Sequence, residues 1–497
     1  MILVADWVLP ISEEPLANGA IVVSEQGLIL DVCDAKSPLL TQSAIGHEIR
    51  RFPGCVLMPG LINTHIHLEY SAFKGFSKSC GFGEWMLRLI LARRKLTIDD
   101  YYVSALWGTR ECVRAGMTYL AEASFYGWTS ARAICEAGLR ARVHLEVMGL
   151  DDNTIPQTMD RVEHQLGVIK EICGLVEPGL SPHAPYTVSA RLYSEVVRYS
   201  VKHNLFTTTH LAESPHEMEL FHNGTGAIAK AYKAVGFWKG YKWKPPRVSP
   251  VAYLHKAGAL HPAMLAAHCV QLSDEDIATM SEAGTAVAHC PCSNRFLQCG
   301  SAPIAKLRQN GIRVGLGTDS LASNARLDLF AEMREALKLS RSIGVDHTHT
   351  HTHTHTQSCA SRLTSEVAPM SGDMPIPAVP HLNETSVLRM ATLEGAKALG
   401  LDDKLGSLEK GKMADIIAVR LPCLGKETPA PGSFNDQNPN SKVDLNSCDL
   451  VSSIVSQVTA SDVCMTMVAG KILFDRDNSS TNPDDLDKKL AFIRCKI

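Results

Sequence analysis

The sequence predicts an α/β fold: a distorted (β/α)8 TIM-type barrel carrying a small β-sandwich domain built from both chain ends. Three observations predict it. Eight strand-like segments alternate with helix-like ones through the middle of the chain, the pattern of parallel strands joined by crossover helices. Short apolar alternations of β texture stand at both ends of the chain. Six of the eight predicted barrel strands end in a histidine or an acidic residue, and a barrel gathers such ends on one face.

Taken in order, residues 1–58 alternate apolar and polar positions (Ala20–Ser24, Leu28–Val32) between turn-type residues. The same texture returns at Ala414–Val419 and Met465–Phe474, after the turn-rich GSLEKGKMAD. We therefore expect 1–58 plus 404–497 to form one composite β domain, with a barrel at 59–403 inserted between its halves. The expected barrel strands are Val56–Asn63, Met117–Glu122, Arg142–Gly149, Val176–Ser181, Leu205–His210, Met264–His268, Thr285–His289 and Arg313–Gly317. Helix-period stretches fall between them, at Trp85–Lys95, Tyr101–Ala115, Ala190–His203 and Asp274–Ala283. Two segments break the order. Residues 346–380 hold a His-Thr alternation (His347, His349, His351, His353, His355) and read as a low-complexity loop, and 423–447 reads as a second loop.

Composition narrows the class. At 497 residues the chain can bury a large core. A net charge of −3 with no basic block argues against nucleic acid as a partner. No apolar run approaches the ~18 residues of a membrane span, and the opening MILVADWVLP lacks the pattern of a signal peptide. Fifteen cysteines scattered through apolar segments suit a reducing compartment. The expectation is a soluble, cytoplasmic protein acting on a small molecule, with a homo-oligomer as the default assembly.

The chemistry starts at PGLINTHIHLEY, Pro59–Tyr70. Alternation along a strand sends His65 and His67 to the same side, so both imidazoles can meet one ion. A bare HxH also reads as two polar loop histidines, and the other strand ends decide between them. They supply His183 (SPHAPYT), His210 and Glu213 (HLAES), His268 (AHC), His289 (AHCPCSN) and Asp319 (GTDSLASN). Two decoys fail. His216-Glu217 lacks the second histidine of HExxH because Leu220 stands there, and Pro291-Cys292 lacks the second cysteine of the nucleobase-deaminase motif because Arg295 stands there.

With these words in this order, the chain resembles the amidohydrolase superfamily in its mononuclear, metal-dependent deaminase branch, near the aminofutalosine and methylthioadenosine/S-adenosylhomocysteine deaminases. The match runs from about Cys55 to Val419, ending in LGSLEKGKMADIIAV. The resemblance implies that His65, His67, His210 and Asp319 hold one divalent metal, Zn or Fe. It implies Glu213 as proton shuttle, His268 as the residue that orients the attacking water, Asp319 as acceptor of the water's proton and His183 as a substrate contact. The ligand set agrees with the chemistry of a borderline divalent ion. The fourth strand offers no lysine to carry a bridging carbamate, so one metal is expected; Glu146 in the third strand reads as an ordinary strand carboxylate. Glu69 either supports a ligand histidine or touches the substrate, and Trp85 is a candidate to stack on a planar ring. The implied reaction removes an amino group from a heterocycle, with an adenine-type nucleoside as substrate. The alternatives are hydrolysis of another C–N or a C–Cl bond on the same scaffold, and an inactive scaffold protein.

Overall fold

A computed structural model describes residues 1–37, 48–76, 81–172, 174–238, 244–343, 382–422, 447–478 and 485–497. The His-Thr tract at 347–355, the loop expected at 423–447 up to residue 446, and Trp243 lie outside the described residues.

Strands β1 (Ile2–Val8), β2 (Leu16–Ala17), β3 (Gly19–Val23), β4 (Ile29–Asp34) and β5 (Ile49–Pro59) come from the start of the chain. Strands β14 (Ile416–Arg420), β15 (Val463–Val468) and β16 (Lys471–Asp475) come from its far end. They form one mixed sheet in the order β16-β15-β14-β5-β1-β3-β4, with β2 paired to β1. Leu3, Val8, Ile21, Ile29, Leu57, Ile416, Met465 and Met467 enclose a core private to this sheet. The two chain ends thus join in one β unit, as expected.

Strands β6 (Leu61–Ile66), β7 (Met117–Ser124), β8 (Arg140–Val147), β9 (Val176–Pro182), β10 (Thr207–Leu211), β11 (Met264–His268), β12 (Ala286–His289) and β13 (Val314–Leu316) follow one another in a single parallel sheet. The barrel seam between β13 and β6 is joined through Asn63. Its side-chain amide donates to Thr318 Oγ1 at 2.8 Å and its carbonyl oxygen accepts from Thr318 N at 3.1 Å.

One expected element is corrected. The apolar run Val56–Asn63 is two strands: Val56–Pro59 pairs with β14 in the composite sheet, and Leu61 opens the barrel. The chain crosses at Gly60. A Cβ there would stand 2.1 Å from the Thr118 side chain, so only glycine lets the backbone pass. The expected helices are found at Phe82–Arg93, Ile98–Arg114, Ala190–Lys202 and Asp274–Glu282. Thr97 and Ser273 start two of them with capping boxes closed by Asp100 and Asp276. Among the described residues no helix is long and apolar enough to cross a membrane.

Candidate functional site

The strand ends bring the predicted residues to one point. Ring nitrogens of His65, His210 and His268 lie within 4.8 Å of one another, and so do ligand atoms of His65, His67 and Asp319. His67 Nε2 stands 3.7 Å from Asp319 Oδ1 and His65 Nε2 stands 3.8 Å from it. All five residues are buried. His268 therefore stands as close to the centre as the four expected ligands.

Local hydrogen bonds fix which ring atom faces inward. His210 Nδ1 donates to the His183 carbonyl at 2.8 Å, which leaves its Nε2 as the lone pair. His268 Nδ1 donates to Asn294 Oδ1 at 2.9 Å, with the same result. Asp319 Oδ2 accepts from the hydroxyls of Ser293 and Ser323, both at 2.6 Å, so Oδ1 is the oxygen turned to the histidines. His268 (φ 72°), Cys269 (φ 49°), Ala212 (φ 49°) and Asp319 (φ 55°) all hold left-handed backbone conformations. Such strain persists where the surroundings enforce it, and it gathers at functional sites.

The electrostatics suit a cation. Burial pushes His65, His210 and His268 below the ordinary imidazole range and His67 down to about 3, so the rings are neutral at pH 7. Burial raises the Asp319 carboxyl, but His268, His67 and the two serine hydroxyls outweigh it and hold it ionised. Both ring nitrogens of His65, Nδ1 of His67 and Nε2 of His268 are buried without a hydrogen-bond partner. Unpartnered ring nitrogens at this density are costly unless an ion takes up the lone pairs among them. The donor set, neutral imidazoles plus a carboxylate, fits a divalent metal.

Glu213 Oε1 lies 3.8 Å from His268 Nε2. Burial, with Asp319 nearby, raises its carboxyl to about 7. Its backbone N–H donates to Glu217 Oε2 at 2.8 Å, and Ala212 N donates to Glu217 Oε1, so Glu217 pins the turn that presents Glu213. The failed metalloprotease motif thus has a structural use that the sequence did not reveal.

These groups open on a cavity of about 350 Å³ walled by Tyr70, Phe82, Trp85, Met86, Tyr186, Tyr232 and Phe237. His183 lines it, its Nδ1 hydrogen-bonded to Thr187 Oγ1 at 2.9 Å. Trp85 lines it too, and its indole N–H donates to the Ala322 carbonyl at 2.8 Å. A more open cavity of about 800 Å³ beside Trp107, Arg326 and Asp487 shares none of these residues.

Two expectations change. Glu69 does not line the cavity. Its carboxylate is taken up by Ser124 Oγ at 2.6 Å, Phe125 N at 2.9 Å, Tyr126 N at 3.2 Å and the Thr129 hydroxyl, so it braces the turn after β7. Glu146 does line the cavity; Oε1 stands 3.7 Å from His67 Nδ1, Oε2 has no partner, and burial raises the carboxyl to about 7. Its place one residue from the C-terminal end of β8 is the signal that could have found it. His289, at the end of β12, is buried, and its Nδ1 makes no hydrogen bond.

An eight-stranded parallel barrel with histidines and carboxylates gathered at its strand ends defines the class of barrel hydrolases. The chain belongs to the amidohydrolase family, whose model matches residues 56–365 and 368–473. It is 32% identical over 409 residues to the 5'-deoxyadenosine deaminase of Methanothermobacter thermautotrophicus, covering 81% of each chain. It is 32% identical over 437 residues to the 5-methylthioadenosine/S-adenosylhomocysteine deaminase of Moorella thermoacetica, covering 86% of this chain and 83% of the other. Its fold matches a zinc-bound adenosine deaminase from Xanthomonas campestris with a TM-score of 0.74 at 23% identity, over 100% of this chain and 97% of that one.

Proposed function

We propose that the protein is a hydrolytic deaminase of adenine nucleosides, working with one divalent metal, zinc before iron. The observation that carries this reading is the placement of Glu213 beside His268 and Asp319 at the floor of an aromatic cavity. Its carboxyl, poised near 7, suits a group that must both give and take a proton at neutral pH. The relatives named above share most of the chain's length and carry deaminase names.

In this reading His65, His67, His210 and Asp319 hold the ion. When bound, it would lower the pKa of a water from about 15.7 to about 7. Asp319 Oδ1 accepts the proton of that water, while Ser293 and Ser323 keep Oδ2 occupied and the carboxylate oriented. His268, fixed by Asn294, directs its Nε2 to the water's position. Glu213 protonates a ring nitrogen of the base and then the departing amine, the step that releases ammonia. His183 contacts the ring, and Trp85 and Tyr186 wall the cavity around it. Free buried thiols such as Cys112, Cys269 and Cys290 suit a cytoplasmic protein.

The test is ammonia release from adenosine, 5'-deoxyadenosine, 5'-methylthioadenosine, S-adenosylhomocysteine and aminodeoxyfutalosine, with metal content measured on the same preparation. Turnover of at least one nucleoside at about one equivalent of metal is expected. A metal-loaded protein that releases ammonia from none of them would overturn the reading.

A further inference from the structure

Three charged side chains line the cavity without a part in the proposed reaction: Glu146, Arg93 and Arg94. Glu146 is 4% exposed, it faces the cavity, and its Oε2 is buried with no hydrogen-bond partner. Its other oxygen lies 3.7 Å from His67 Nδ1, too far for a hydrogen bond. The neighbouring Arg93 guanidinium, stacked over the faces of Tyr70, at 5.1 Å, and Phe125, at 4.8 Å, acts on Glu146 by its charge and leaves Oε2 without a hydrogen bond. A buried carboxylate oxygen left open toward a binding cavity is an acceptor waiting for a donor on the ligand.

The chemistry of the proposed substrate says which donor. In an adenine nucleoside the ring nitrogens N1, N3 and N7 are acceptors; the ionised form of Glu146, the form a ligand hydroxyl favours by donating to it, takes no hydrogen bond from any of them. The amino group is the reacting group and is directed to Glu213, His268 and Asp319. The only donors left are the hydroxyls of the sugar. We propose that Glu146 Oε2 accepts a hydrogen bond from the 2'- or 3'-hydroxyl of the substrate's ribose, and so selects ribonucleosides over deoxynucleosides and free base. The assignment rests on the nucleoside-deaminase reading. It makes Glu146 a specificity-determining residue with no part in proton transfer.

The experiment compares kcat and KM for adenosine, 2'-deoxyadenosine and 3'-deoxyadenosine in the metal-loaded wild type, Glu146→Met and Glu146→Gln. Methionine keeps the volume and removes the acceptor; glutamine keeps one neutral acceptor and serves if Glu146→Met does not fold. In the wild type, kcat/KM should fall roughly 10- to 100-fold for at least one deoxy analogue, mainly through KM. Glu146→Met should treat the three alike within about threefold, and Glu146→Gln should narrow the gap at least threefold, both with unchanged metal content. A wild type indifferent to the sugar hydroxyls, or variants that keep the full gap, would overturn the assignment while leaving the deaminase reading intact. Loss of metal in Glu146→Gln would recast Glu146 as a support for His67 and also overturn it. Absence of ammonia from every nucleoside in the wild type would instead bring down the deaminase reading, and the assignment with it.

Discussion

The Nε2 atoms of His67 and His210 stand 3.2 Å apart, with the two rings 8° from parallel. Because His210 Nδ1 carries the proton given to the His183 carbonyl, its Nε2 is a lone pair. Burial keeps His67 neutral as well. That spacing suits two nitrogens sharing one cation; with no ion between them, a neutral His67 closes the pair by donating its Nε2–H to His210 Nε2. His210→Ala or His67→Ala should therefore lose most of the bound metal, while the wild type holds about one equivalent by elemental analysis. Full occupancy in both variants would remove these residues from the ligand set.

Glu213→Gln should keep the metal and the fold, since glutamine is nearly isosteric. What it lacks is a proton to give and a carboxylate to receive one. We expect kcat to fall about 10²–10⁴-fold with little change in KM. A rise in KM alone would make Glu213 a binding residue and move the acid–base role, most naturally to His268.

Ser323→Ala removes one of the two hydroxyls that hold Asp319 Oδ2. The carboxylate then loses orientation. Metal affinity or kcat should drop on the order of 10-fold, in the range typical for groups that orient a metal ligand. Unchanged values for both would show that Ser293 alone fixes the aspartate.

Glu69→Gln should cost stability, and the KM of folded enzyme should hardly move. Glu69 accepts from two backbone N–H groups and two hydroxyls, and an amide NH2 placed among four donors leaves at least one pair unmade. The expected loss is about 2–4 kcal/mol in denaturant unfolding. A variant of wild-type stability with a large rise in KM would restore Glu69 to the substrate contacts.

Burial raises the carboxyls of Glu217 and Glu332 to about 8. Each is protonated in the folded chain at pH values where the unfolded chain, titrating near 4.5, has already released its proton. The folded state then binds more protons, so raising pH from about 4.5 to 8 favours unfolding. The buried histidines act in the opposite direction, but only below about 6.5, where the unfolded rings gain protons. Between pH 6.5 and 8 the melting temperature should fall by ~2–5 °C. A melting temperature that rises across that window would show these carboxyls ionised in the folded protein.

Much of this was legible in the chain. The strand order and the residues at strand ends came from alternation and from the convergence of His65, His67, His210, His268 and Asp319 on one barrel face. The split at Gly60 was not legible, because an unbroken apolar run reads the same whether it stays in one sheet or passes into a second. Glu69 and Glu146 were misjudged for a shared reason. A single carboxylate has no periodicity, and only the tertiary structure shows that one meets four donors while the other meets none. Glu217 belongs with them, since its partners are backbone N–H groups that carry no side-chain signature.

The crossing at Gly60 also orders events in time. The strand that carries His65 and His67 is a direct continuation of β5, and β5 gains its second neighbour only from Ile416–Arg420. On a growing chain, β5 is made early and must wait more than 350 residues for that partner, counting from Pro59 to Ile416. Contacts so far apart in sequence form slowly and leave strand edges open meanwhile. The strand that carries His65 and His67 is therefore secured among the last steps of folding, and truncations near residue 416 should yield aggregation-prone chains rather than a weakened enzyme.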